Sequence, residues 1–132
     1  MRAKINLWII ALLIAILFAG CEDEETVLRK PSIELKKGGD YTSVNRSAFP
    51  QDTLQVGIIA ESGNRGKLVL FEIYRNGETM ESIAISRNSL DADLFIVKDT
   101  LQTELWRFLV RDKSNYADSV SITLTLADTT GT

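Results

Sequence analysis

The stretch WRFLVRDKSNYADSVSITLTL, residues 106–126, carries the pattern that decides the fold. Every second residue is apolar from Trp106 to Val110, and the same spacing returns from Val120 to Leu126. Successive side chains of a β-strand point to opposite faces, so a period of two is typical of half-buried strands. Between the two runs lies the polar segment Asp112 to Asn115, which has the composition of a turn. This part of the chain therefore predicts two strands joined by a loop.

The same alternation recurs upstream, starting at about Pro31. Turn-forming residues separate the apolar runs, and Asn76-Gly77 is the strongest hairpin signal among them. No window after residue 30 has the apolar spacing of an amphipathic helix. About seven short strands predict an all-β domain over residues 31–127, built as an antiparallel two-sheet sandwich. We expect its core to contain these inward-facing residues: Val56, Ile58, Phe71, Ile73, Ile96, Trp106, Phe108, Val110, Ile122 and Leu124.

The first strands of the predicted sheet include an L-x-x-F-x-I segment at Leu68, Phe71 and Ile73, after an opening strand that follows Pro31. Together with the late FLVRDKSNYADSVSITLTL, these features resemble the small immunoglobulin-like domains of Bacteroidetes lipoproteins. The resemblance covers residues 31–127 and implies an immunoglobulin-like sandwich. The disulfide of antibody domains has no counterpart, because the chain has one cysteine.

The first 20 residues have the layout of a secretory signal. Arg2 and Lys4 give a positive start, and the run from Leu7 to Ala19 is apolar throughout. That run is shorter than the roughly 20 residues that span a bilayer. We therefore predict a helical signal peptide over residues 1–20, with a buried core helix as the alternative.

The apolar run ends at the single cysteine, Cys21. Phe18-Ala19-Gly20-Cys21 resembles the lipobox of bacterial lipoproteins, although that family usually has Leu, Val or Ile where Phe18 stands. The resemblance implies cleavage before Cys21 and a diacylglycerol on its sulfur, with acyl chains such as palmitate. Two or three acyl chains hold a protein durably on a membrane. The alternative is a free cysteine that packs as a small apolar residue.

Four acidic residues, Glu22, Asp23, Glu24 and Glu25, follow the cysteine directly. They resemble the export tag of Bacteroidetes-type lipoproteins, which implies the outer membrane and display on the cell surface. The alternative is a solvated tether over residues 21–30 that holds the domain off the membrane. At the other end, the polar tail 128–132 predicts disorder.

The residue inventory argues against an enzyme. The chain has no histidine, and its one cysteine is assigned to the lipid, so no nucleophile with an adjacent base can be assembled. The formal net charge of −3 and the absence of a basic stripe argue against a nucleic-acid partner. We expect no cofactor.

Two acidic groupings are weaker candidates for chemistry. Asp112, Asn115 and Asp118 supply oxygen ligands of the type calcium prefers, but one loop offers few of them and a self-capped turn is the favoured alternative. Asp91 and Asp93 resemble a hydrolytic carboxylate pair, although acids at strand edges are far commoner.

The aromatic residues Tyr41, Phe49, Tyr74 and Tyr116 offer a surface that could stack on sugar rings, with packing at the rim of the sandwich as the alternative. We therefore expect a lipid-anchored, non-enzymatic binding or structural module of the cell envelope, whose partner is an envelope protein or a glycan. The alternative is an accessory subunit that stabilises a larger envelope complex through an edge strand or a sheet face. An exposed aromatic row would favour a glycan, and an uncovered apolar edge would favour the subunit role.

Overall fold

The computed structural model describes residues 28–128. The predicted signal peptide, the lipobox, Cys21 and the acidic run lie outside the described residues, as do the last four residues of the tail. Within the described part no helix is long and apolar enough to cross a membrane. That part is made of eight strands: β1 Ser32–Leu35, β2 Arg46–Ala48, β3 Thr53–Glu61, β4 Leu68–Arg75, β5 Glu78–Arg87, β6 Ser89–Val97, β7 Thr103–Asp112 and β8 Ala117–Leu126.

The strands form two sheets, a three-stranded sheet in the order β1-β3-β6 and a five-stranded sheet in the order β2-β8-β7-β4-β5. All pairs are antiparallel except β2 with β8. The chain passes from one sheet to the other after β1, β2, β3, β5 and β6, which is the connectivity of immunoglobulin-like sandwiches. The predicted fold class is confirmed, with one strand more than the alternation predicted.

All ten predicted core residues are buried between the two sheets. They form one apolar cluster with further residues of β1, β2, β3, β4 and β6. One detail of the predicted alternation is wrong. Strict alternation with Phe71 and Ile73 predicts that Val69 points inward, but a bulge lies between Leu68 and Leu70, so that Leu68 is buried and Val69 is half-buried. The extra residue of a bulge changes which residues of the strand point inward, and a strict period of two does not predict that change.

The hairpin predicted at Asn76-Gly77 joins β4 to β5. Asn76 and Gly77 both have positive φ, 51° and 81°, and Arg75 pairs with Glu78 across the two residues. A two-residue turn of this kind matches the twist of the flanking strands. The Asn76 side chain also accepts a hydrogen bond from the backbone N–H of Leu105 at 2.7 Å, which ties the turn to β7.

The two lateral sides of the sandwich differ. On one side the outer strands β1 and β2 are short, with four and three residues. On the other side the edges are β5 and β6, with ten and nine residues. Because three strands face five, nothing in the described chain covers the inner face of β5, and every β5 residue except Ile85 is exposed. We call this side of the sandwich the open side.

Candidate partner-binding groove

A groove of about 500 Å³ lies on the open side, between β4 and β5 of one sheet and β6 of the other. It occupies the half of that side nearest the Asn76-Gly77 turn. Strand β6 and the residues after it form one wall, β5 forms the other, and Ile73 and Trp106 lie at its base. The groove is lined by Gln51, Ile73, Arg75, Met80, Glu81, Leu94, Phe95, Ile96, Val97, Lys98, Asp99 and Trp106.

The rim of the groove is apolar and exposed. Phe95 is 67% exposed, and Val97 and Met80 are 47% and 41% exposed. The alternation of β6 explains the first two, because Ile96 turns inward while its neighbours on either side turn outward. A single exposed apolar residue is ordinary, but several around one concave surface are typical of an interaction site.

Beside this rim lies one charged contact. Arg75 donates from Nη1 to Asp99 Oδ2 at 3.2 Å, and its guanidinium carbon lies 5.9 Å from the centroid of the Trp106 ring. The backbone N–H of Thr100 lowers the pKa of Asp99, and the positive charge of Arg75 lowers it further. The carboxylate therefore stays ionised and keeps Arg75 along the wall.

A buried ion pair supports the groove from below. Lys98 and Glu104 are both fully buried, and the ammonium of Lys98 contacts the Glu104 carboxylate. Lys98 Nζ also donates to the carbonyls of Asp99 and Leu101, at 2.7 and 2.6 Å. All three protons of the ammonium thus have an acceptor, which is what a charge needs in order to be buried.

Glu104 is satisfied in the same way. Its Oε2 accepts from the backbone N–H of Asp99 at 3.1 Å, and its Oε1 accepts from the indole Nε1 of Trp106 at 3.3 Å. The pair therefore fixes both the loop between β6 and β7 and the indole at the base of the groove. Neither residue was predicted as part of a site from the sequence.

The two acids considered as a carboxylate pair lie on the outer face of the three-stranded sheet, in phase along β6 with Phe95 and Val97, but neither acid lines the groove. Both Asp91 and Asp93 form ion pairs with Lys36, which lies 2.9 Å from Asp93. The Tyr41 hydroxyl donates to the same Asp93 oxygen at 2.9 Å. The bond from Lys36, and then that from Tyr41, lowers the pKa of Asp93. Both carboxylates therefore serve a cross-strand cluster, and the lowered pKa of Asp93 is opposite to the raised pKa that a general acid needs.

The calcium candidates lie at the end of the sandwich opposite the groove. Asp112 is buried, and its Oδ1 accepts from the backbone N–H groups two and four residues later, each at 2.9 Å. Asp118 accepts from the backbone of β1 at 3.1 Å, and Asn115 accepts from Arg111. Residues 28–128 contain no group of three or more acids, histidines or cysteines placed to hold a metal ion. Asp112 and Asn115 thus accept hydrogen bonds within their own loop, Asp118 links β8 to β1, and these contacts lend the calcium prediction no support.

The four aromatic candidates are spread over the molecule. Tyr41 forms an isolated backbone bridge with Gln55 of β3, in the three-stranded sheet, and Tyr74 lies in β4 of the five-stranded sheet. Tyr116 is in the loop after β7, and Phe49 follows β2. Tyr74 and Tyr116 each lie beneath an arginine, 4.7 and 3.8 Å from ring centroid to guanidinium carbon. The structure therefore gathers no aromatic row from these residues, whereas Phe95, which was not among them, is the most exposed aromatic at the groove.

No family model matches the chain, and no curated protein gives a significant match. Among solved structures, the chain is similar to the fibronectin(III)-like modules of CbhA from Clostridium thermocellum, at 17% identity and a TM-score of 0.47. The alignment covers 76% of this chain and 48% of that one, so the chain spans about half the length of that structure.

Proposed function

We propose that this chain is a non-enzymatic binding module of the cell envelope, anchored by lipid to the outer membrane, and that its groove binds a partner protein. The observation that carries the proposal is the groove itself, a concave surface with an exposed apolar rim beside two uncovered edge strands. Such surfaces in soluble domains are typical of protein interaction sites.

The anchoring part of the proposal rests on the sequence. A charged start, an apolar run and the segment Phe18 to Cys21 are the features that resemble a lipoprotein signal. A lipid on Cys21 would leave the sandwich facing solvent at the end of an acidic tether, with the groove free to meet a partner. The acidic run Glu22 to Glu25 supports display on the cell surface as the finer proposal.

The distribution of aromatic side chains favours a protein over a glycan as the partner. Stacking on sugars requires aromatic faces that are flat, exposed and arranged together, and Tyr74 and Tyr116 are each covered by a cation. The rim residues Met80 and Val97 are flexible or branched aliphatic groups, which suit apolar side chains of a protein. The accessory-subunit role is the second candidate, favoured by the unpaired edge of β6.

Replacing Cys21 with alanine should abolish anchoring. We expect the variant to take up no labelled palmitate and either to leave the membrane fraction or to persist as uncut precursor, because the only acceptor thiol is gone. Metabolic labelling and fractionation of cells measure both. Glu22→Gln is the matched control and should keep both label and cleavage. Membrane association and processing that survive Cys21→Ala would refute the lipid anchor.

A photoreactive amino acid placed at Val97 tests the groove. In the native envelope we expect it to cross-link to one partner protein, while the same group at Ser121, exposed on the outer face of the five-stranded sheet, should not. Adding Phe95→Asp should remove the adduct, because a charge on the rim opposes burial against an apolar partner. Mass spectrometry identifies the adduct. Equal cross-linking at both positions, or an adduct that survives Phe95→Asp, would exclude the groove as the binding face.

A further inference from the structure

The inner face of β5 carries an ordered pattern of charge. Glu81 and Ile83 pair with the buried residues Ile73 and Phe71 of β4, so their side chains point to the inner face of the sheet. Arg87 pairs with the buried Leu68 beyond the register shift between Leu68 and Leu70, and Ile85 packs against the core. Along the inner face, β5 therefore presents an acid, two isoleucines and a base at every second position.

This pattern complements itself when the strand is reversed. In an antiparallel pair centred on Ala84, Glu81 lies opposite Arg87 of a second copy, and Ile83 lies opposite Ile85 of that copy. The same register sets Ser82 opposite Ser86 on the outer face, where both side chains are small and uncharged. Among the residues that the structure describes, neither Glu81 nor Arg87 has an ion-pair partner within its own chain.

Other registers lack this match. Moving the centre to Ser82 sets Glu81 opposite Ile83, and moving it to Ser86 sets Arg87 opposite Ile85. Each places a charge against an apolar side chain and leaves that charge without an opposite partner. The intermediate centres fail in the same way, because a centre at Ile83 sets Glu81 opposite Ile85 and a centre at Ile85 sets Arg87 opposite Ile83.

We propose that two copies of this chain associate through β5, antiparallel and centred on Ala84, so that their five-stranded sheets join into one. The two-fold axis runs perpendicular to the joined sheet, so the same surface is used on both copies. Because that symmetry keeps both inner faces on the same side, the two open sides meet over the β5 strands. This inference goes beyond the binding role proposed above and does not depend on the lipid.

Disulfide trapping tests the register in the full chain carrying Cys21→Ser, purified in detergent micelles. Directly opposed residues of antiparallel strands have Cα atoms about 4.5–5.5 Å apart, within the range of a disulfide. Ala84→Cys should therefore form a cross-linked dimer on mild oxidation. Ser82→Cys is the matched control, because its counterpart in the second copy lies four residues along the strand, about 13 Å away. Equal cross-linking at both positions, or none at Ala84, would overturn the proposed pairing.

Charge exchange tests the pairing independently of the disulfide. Glu81→Lys and Arg87→Glu each set two like-charged pairs in the dimer, and each should weaken association about 10-fold. The double variant restores opposite charges and should recover the association of the parent. Sedimentation equilibrium measures the dissociation constants, and circular dichroism checks that each variant is folded. A monomeric parent at high micromolar concentration, or a double variant no tighter than the singles, would refute the dimer while leaving the anchoring and groove experiments unaffected.

Discussion

Lys98→Ala should lower the free energy of unfolding by about 3–5 kcal/mol, because it leaves the Glu104 carboxylate buried without its cation. Both side chains of the pair are 0% exposed, so no water compensates the remaining charge. The substitution also removes the donor to the carbonyls of Asp99 and Leu101. We expect the loop between β6 and β7 to loosen as the domain is destabilised. Urea unfolding followed by Trp106 fluorescence measures the change.

Two further variants separate the buried charge from a general effect of losing a cation. Arg75→Ala breaks the partly exposed ion pair with Asp99 and should cost no more than about 1 kcal/mol. The double variant Lys98→Met with Glu104→Leu removes both charges and should regain part of the lost stability. The recovery stays incomplete because the Trp106 indole N–H then has no buried acceptor. If Lys98→Ala were as stable as Arg75→Ala, the Lys98–Glu104 ion pair would not be what holds the loop between β6 and β7.

The alternation of the sequence predicts that Lys98 and Glu104 point into the core, but it does not predict that the two side chains contact each other. Lys98 comes directly after β6, two residues after the inward Ile96, and Glu104 lies in β7, two residues before the inward Trp106, so both continue the inward phase. A polar residue in that phase signals either the end of a strand or a buried partner. Only the loop that connects β6 to β7 brings the two side chains into contact, and its conformation is not encoded by periodicity.

The strands of the core were predictable because alternation is a local signal. Strand β2 was not, since a three-residue strand is too short to show a period, and it is held by its parallel pairing with β8. The groove was not predictable for a different reason. It follows from three strands facing five, and strand counts per sheet depend on which strands pair. The alternation along β6 predicts that the side chains of Phe95 and Val97 point outward, but it does not predict which residues of other strands lie beside them.

Phe108→Ala should cost about 3–5 kcal/mol, the range expected for truncating a fully buried phenylalanine. Phe108 is 0% exposed and lies in β7 between Ile73 of β4 and Val120 of β8, at the centre of the five-stranded sheet. Strands on both sides fix its surroundings, so the vacated space cannot readily close. Because domains of this size have about 5–15 kcal/mol of stability in total, the variant should be close to unfolded at the least stable end of that range.

Phe95→Ala is the matched control, since it removes the same side chain from a site that is 67% exposed. We expect it to change the free energy of unfolding by less than about 0.5 kcal/mol, because little apolar surface is returned to water. Urea unfolding of both variants, analysed with a common slope, gives the difference. The two phenylalanines thus separate the roles of the two strand faces: Phe108 stabilises the sandwich, while Phe95 is available to a partner. Similar losses of stability in the two variants would show that Phe95 is packed in solution and that the groove is closed.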